Sequence, residues 1–149
     1  MTQTYNFRLP LLVQGQAQKE ISHNEALLLI DILLNPVVEK KLDNPALLIG
    51  EQAPIFGNCY LIGETPTGIW ANYANYLAVY FENGWRYIAP KINLRIWSKH
   101  QNKMLRYDGN IWGGGNIVTA PNGGTTIDVE ARSTLAQILS LLQAQGLSA

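Results

Sequence analysis

Five side chains near the middle of this chain carry the chemistry of a sugar platform. Trp70, Tyr73 and Tyr76 lie close together, and Trp97 and His100 follow farther along. Flat aromatic faces stack on sugar rings, and side-chain amides supply partners for hydroxyls. Asparagine occurs thirteen times and glutamine nine, so amides are plentiful. These five residues are the candidate glycan contacts. Residue type alone does not decide the matter, because the same rings build β cores. Trp70 and Trp97 stay open to either use, as a platform or as a core or interface anchor.

Catalytic groupings are poorer. His23 stands beside Ser22 and close to Glu25, but neighbours one apart on a helix do not face each other. Ser22-His23-Asn24-Glu25 has instead the spacing of a capping box. Lys19 shares a face with His23 if the helix runs back that far, which makes both candidates for a subunit interface. Glu51, Glu64, Glu82 and Asp108 are scattered over turns. Glycoside hydrolysis needs two acids converging at about 5 to 9.5 Å, and nothing in the sequence pairs these. Gly113-Gly114-Gly115 has no Lys-Ser or Lys-Thr after it and is no phosphate loop. Cys59 is the single cysteine and reads as a buried structural thiol. No catalytic residue, metal ligand or cofactor is assigned, and the chain reads as a non-enzyme.

The aromatics belong to a repeat. Trp70, Asn75, Leu77, Tyr80, Asn83 and Trp85 recur 27 residues later as Trp97, Asn102, Met104, Tyr107, Asn110 and Trp112. All four tryptophans fall inside it. A repeat of this kind points to a unit built for shape. Alternation places Tyr76, Ala78 and Tyr80 on one strand face and Leu77, Val79 and Phe81 on the other. In the second copy Leu105 and Tyr107 take the first face, and Met104, Arg106 and Asp108 the second. The tyrosine face is the expected core. The opposite face is expected to be covered in copy one and wetter in copy two. Tyr80 with Trp85, and Tyr107 with Trp112, are the expected cross-strand pairs.

The elements around the repeat follow from periodicity and punctuation. Residues 1–14 read as an extended arm, and residues 15–112 as one domain of a helix plus antiparallel β structure. The helix is clear after Ser22, is apolar almost all round from Ala26 to Leu34, and stops at Asn35-Pro36. Such a helix must be covered on most sides, so Leu28 and Ile32 join the candidate interface. Asp31, its one charge, must lie at an edge or find a partner. The stretch 37–49 presents a solvated turn or a second short helix. Residues 113–124 form a Gly-rich linker, and 125–149 an oligomerisation helix. Asp128 is its N-cap and Gly146 its stop. Ala131, Leu135, Ile138 and Leu142 form a seam on it, and the last three are candidate interface residues. The predicted class is α+β: an N-terminal apolar helix, a small antiparallel β unit of two repeated hairpins, and a C-terminal amphipathic helix.

The charge balance narrows the partners. Eleven basic and eleven acidic residues cancel, and 15% of residues are charged, against about a quarter in typical domains. No field draws in nucleic acid, and no run is long enough to insert in a membrane. The N-terminus reads as free of a signal peptide.

Gly15-Gln16-Ala17-Gln18-Lys19 followed by His23-Asn24-Glu25-Ala26-Leu27 resembles the opening of an uncharacterised domain family of phage and prophage tail proteins, found also in gene-transfer-agent spikes. Gly57, Tyr60, Leu61, Ile62 and Gly63 are similar to its next block, with Asn58 where the family has Asp. Gly68-Ile69-Trp70, Leu77-Ala78-Val79-Tyr80, Gly84-Trp85 and Pro90 continue it. Thr126 to Arg132, through Gly146-Leu147, resembles a common ending of prophage tail-fibre-like proteins. The resemblance implies a structural component of a virion tail or spike, which serves in attachment or fibre assembly and, in some members, contacts a receptor or capsule polysaccharide on the host cell surface. It implies other tail or spike proteins as partners and supplies no catalytic residues. Threefold fibres, and two helices in need of cover, make a homotrimer the expected assembly. The alternative is a stand-alone carbohydrate-binding module.

Overall fold

The computed structural model describes residues 2–12, 19–113, 117–125 and 127–148, the side chains of 19–22 excepted. The architecture is mixed α+β, with helices α1 (Lys19–Leu34) and α2 (Val129–Ala144) and two sheets. Neither helix is long and apolar enough to cross a membrane. Two compact units divide the chain, Met1–Ala89 and Pro90–Ala149. The boundary falls inside the span 15–112 expected as one domain, and it separates the two copies of the repeat.

The first unit holds α1, β1 (Val37–Val38), β2 (Lys41–Leu42), β3 (Cys59–Ile62), β4 (Leu77–Phe81) and β5 (Gly84–Ile88). Its sheet runs β2-β3-β4-β5. The pairs β3–β4 and β4–β5 are antiparallel as expected, whereas β2 lies parallel to β3. The stretch 37–49 is therefore two short strands and a 3-10 turn at Pro45–Leu47, not a second helix. The Leu61 amide donates to the Lys40 carbonyl at 3.1 Å, and the Gly63 amide to that of Leu42 at 3.0 Å. Strands of two residues leave no period to read.

The β4–β5 hairpin turns at Glu82-Asn83, with Phe81 opposite Gly84. Gly84 takes φ 94°, a left-handed conformation closed to most side chains. Both faces of β4 are covered. Ala78 packs with Leu48, Tyr60, Ile62 and Trp70, while Leu77, Val79 and Phe81 are buried on the other side.

The N-terminal segment differs from the expected extended arm. It folds back on itself through a bridge between Gln3 and Pro10. Asp31 is the reason. Its carboxylate is fully buried. It accepts hydrogen bonds from the Thr4 hydroxyl and from the Asn6 and Phe7 amides, each at 2.7 Å. Charge-assisted bonds of this kind offset the cost of burying a carboxylate. The capping box also fails. α1 already includes Lys19, so Ser22 lies inside the helix and cannot cap it, and Glu25 pairs instead with Arg86.

The second unit holds β6 (Arg95–Ser98), β7 (Lys103–Tyr107), β8 (Trp112–Gly113) and α2. Its strands are joined antiparallel, β6 to β7 and β7 to β8. α2 has the expected ends. The Asp128 carboxylate accepts from the Ala131 amide at 2.8 Å. Gly146, at φ 65°, closes the C-terminus while the Leu147 amide donates to the Leu142 carbonyl at 2.9 Å. This is the pairing of a Schellman cap. A side chain at 146 would strike the Met104 backbone, so glycine lets the end of α2 sit against β7.

Candidate functional site

The two copies of the repeat keep one frame. Asn75 and Asn102 both precede their strand with left-handed backbones, φ 66° and 51°. Asparagine tolerates that region better than most residues. Tyr80 stands opposite Trp85 with ring centroids 5.0 Å apart, and Tyr107 opposite Trp112 at 5.3 Å. These pairs are scaffold, as the alternation predicts.

The leading tryptophans diverge. Trp70 ends the 3-10 turn Gly68–Trp70 and is 0% exposed, edge-on to Trp85 at 5.1 Å. A ring so enclosed cannot serve as a platform for sugar, and Trp70 leaves the candidate list. Tyr73 and Tyr76 are half-buried against the same core cluster. Tyr73 stacks on Tyr87 at 3.7 Å, with an interplanar angle of 13°. Its flat face is thus committed to another ring. Burial, then the nearby Tyr73, holds the Tyr87 phenol above its ordinary range.

In the second unit Trp97 is half-buried on β6, opposite Met104 on β7. His100 is exposed in the loop between those strands. Arg95 and Trp97 lie two apart on β6 and so point to one face, as do Arg106 and Met104 on β7. Arg95 and Arg106 stand directly opposite each other. This arginine pair carries no signal in residue type, although counting outward from the Ser98–Lys103 turn reaches it. Met104, Arg106 and Asp108 are half-buried or exposed, so the expected wetter face of copy two is found.

α2 is the less covered of the two α-helices. None of its residues is buried. Leu135 is 49% exposed and Ile138 47%. Leu135, Ile138, Leu139 and Leu142 line an apolar groove of about 360 Å³ with Val118, Thr119, Ala120 and Pro121. α1 is different. His23 is exposed, while Leu28 is half-buried and lines a cavity of about 270 Å³ with Tyr5, Phe81 and Arg86. Ile32 is 2% exposed. Its place is the chain's own core, which removes it from the interface candidates. The Lys19 side chain, and the Gly15–Gln18 part of the family-like block, lie outside the described residues.

Titratable chemistry is sparse. Burial, reinforced by Glu39, pushes the Cys59 thiol up to about 12, which leaves it protonated and inert. Backbone amides of Ile111 and Asn110 hold the Asp108 carboxyl below the usual range. Among the described residues no group of three His, Cys, Asp or Glu side chains is placed to hold a metal ion.

A family model described as "Protein of unknown function (DUF2793)" matches residues 23–113, more than half of the chain. No curated protein and no solved structure matches it. The chain belongs to the DUF2793 family. The matched segment takes in both copies of the repeat and ends with β8, so α2 lies beyond it.

Proposed function

We propose that this member of the DUF2793 family is a structural subunit of a phage or prophage tail or spike, assembled as a homotrimer through α2. The observation that carries the reading is the half-exposed apolar seam of α2, a 16-residue helix with no buried residue. A helix this short is marginal in water unless another surface covers it. Its seam sets Leu135 and Leu142 at one core position and Ile138 at the other, a combination that favours trimers or tetramers over dimers. The tail setting rests on the resemblance of the Gly15–Leu27 block and of the C-terminal segment. The protein acts by binding and assembly, in the virion, with other tail or spike proteins as neighbours.

Contact with host cell-surface glycans is the second part of this reading. Trp97 supports it, as a half-buried ring on an open strand face. The test of assembly is light scattering on the full chain at micromolar concentration. The wild type is expected at three times the chain mass, and Leu135→Lys with Ile138→Lys at one. A wild-type monomer removes the proposal.

A further inference from the structure

The β6–β7 face carries a charge arrangement that a folded sheet ordinarily avoids. Arg95 and Arg106 are cross-strand partners, and like charges directly opposite each other destabilise a strand pair. Neither guanidinium has a hydrogen-bond or ion-pair partner among the described residues. The Asp108 carboxylate, which feels Arg106, is engaged by the amides of Asn110 and Ile111 at 2.7 and 2.9 Å. At the helix end beside the pair, the Leu142 carbonyl already accepts from the Leu147 and Ser148 amides. The two arginines line a cavity of about 200 Å³ together with Asn93, Met104 and Gln145. Among the described residues no carboxylate lines it.

Two planar forks, two amides and an apolar wall describe a receptor for one planar anion carried on a small polar ring. Arginine forks match carboxylates in bidentate fashion. The cavity holds roughly seven waters' worth of volume, the scale of a single sugar ring. Trp97 shares the face, one side-chain step along from Arg95 and opposite Met104.

We propose that this face is a subsite for an acidic saccharide, with Arg95 and Arg106 taking the sugar carboxylate and Trp97 flanking the ring. The inference rests on the reading that the protein touches glycans, and it names the chemical class of glycan. The repulsion between the arginines is tolerated because the ligand relieves it.

An NMR titration of the full chain tests this, with D-glucuronate, D-glucose and sodium sulfate as probes at matched ionic strength. Glucuronate is expected to shift signals of Arg95, Trp97 and Arg106, and glucose to leave them in place. Affinity for glucuronate is expected to fall tenfold or more in Arg95→Gln and in Arg106→Gln. The melting temperature of either variant should hold or rise, since a like-charge contact is gone. The proposal is overturned if wild type ignores glucuronate, if sulfate or glucose binds as tightly, or if affinity is unchanged in both variants. A fall in melting temperature in both variants also overturns it, because the arginines are then structural. Loss of any response to glucuronate, with a neutral polysaccharide still retained equally by wild type and variants, removes this subsite and leaves glycan contact standing. Glucuronate binding at Arg95 and Arg106, with no polysaccharide retained, does the reverse.

Discussion

The two copies of the repeat share a frame and differ in what fills it. In the first, Trp70 closes a core with Tyr60, Ile62 and Ala78, and strand β4 is covered on both faces. In the second, Trp97 stays half-buried beside two arginines that face each other across the strands, and the buried apolar side chains are Ile96, Leu105 and Trp112. The common part is the left-handed asparagine and the Tyr–Trp pair. That frame folds a hairpin. Whether the hairpin then serves as scaffold or as surface depends on the neighbours its leading tryptophan meets.

Substituting the two leading tryptophans breaks or sharpens this contrast most strongly. Trp70→Ala is predicted to cost about 4 kcal/mol in urea unfolding, because a fully buried ring leaves a large cavity. Trp97→Ala should cost about 1 kcal/mol. Equal losses would show that the two positions are alike after all. Asp31→Ala comes next, at roughly 3 kcal/mol, since it strands three donors that hold the N-terminal segment on α1. Limited proteolysis should then cut the released segment.

In the second unit, Gly146→Ala forces a side chain into a left-handed conformation and against the Met104 backbone. A loss of about 2 kcal/mol is expected, with faster hydrogen exchange at the end of α2. The Cys59 thiol gives a pH signature of the first unit alone. Its folded pKa is raised, to about 12 from 9.0. The folded state therefore holds its proton where the unfolded state loses it. Stability from this group is full below pH 9 and falls by up to about 1.4 kcal/mol per pH unit as pH rises toward 12. Cys59→Ala should flatten that limb, and an unchanged limb would place the alkaline loss elsewhere. The smallest effect belongs to the Lys41–Glu64 pair at 2.6 Å, half-exposed at an edge strand. Glu64→Gln should change stability by no more than about 0.5 kcal/mol.

Features carried by neighbouring residues were legible in the sequence. α2 could be read from Asp128 and Gly146, because caps act within one turn. The Tyr80–Trp85 and Tyr107–Trp112 pairs followed from strand alternation, and so did the wetter second copy. What stayed hidden depends on distant partners. Asp31 reads as a misplaced charge until Thr4, Asn6 and Phe7 fold over it. Ser22 and Glu25 have the spacing of a cap, yet the backbone carries α1 back at least to Lys19, and Arg86, far along the chain, claims the carboxylate. Ile32 and Trp70 have the residue types of an interface and a platform, but burial is decided by what packs around them. The arginine pair needed only the hairpin register, and residue type drew attention to the aromatics instead.

On the proposed reading, the first copy is a closed scaffold while the second unit, with α2, is where the chain meets partners. Sedimentation equilibrium on the full chain and on a form ending before Asp128 tests it directly. The full chain is predicted at a trimer's mass from micromolar concentration upward, and the shortened form as a folded monomer that keeps the aromatic near-ultraviolet signal of its core. Trimers that survive the loss of α2, or a full chain that stays monomeric, would contradict it.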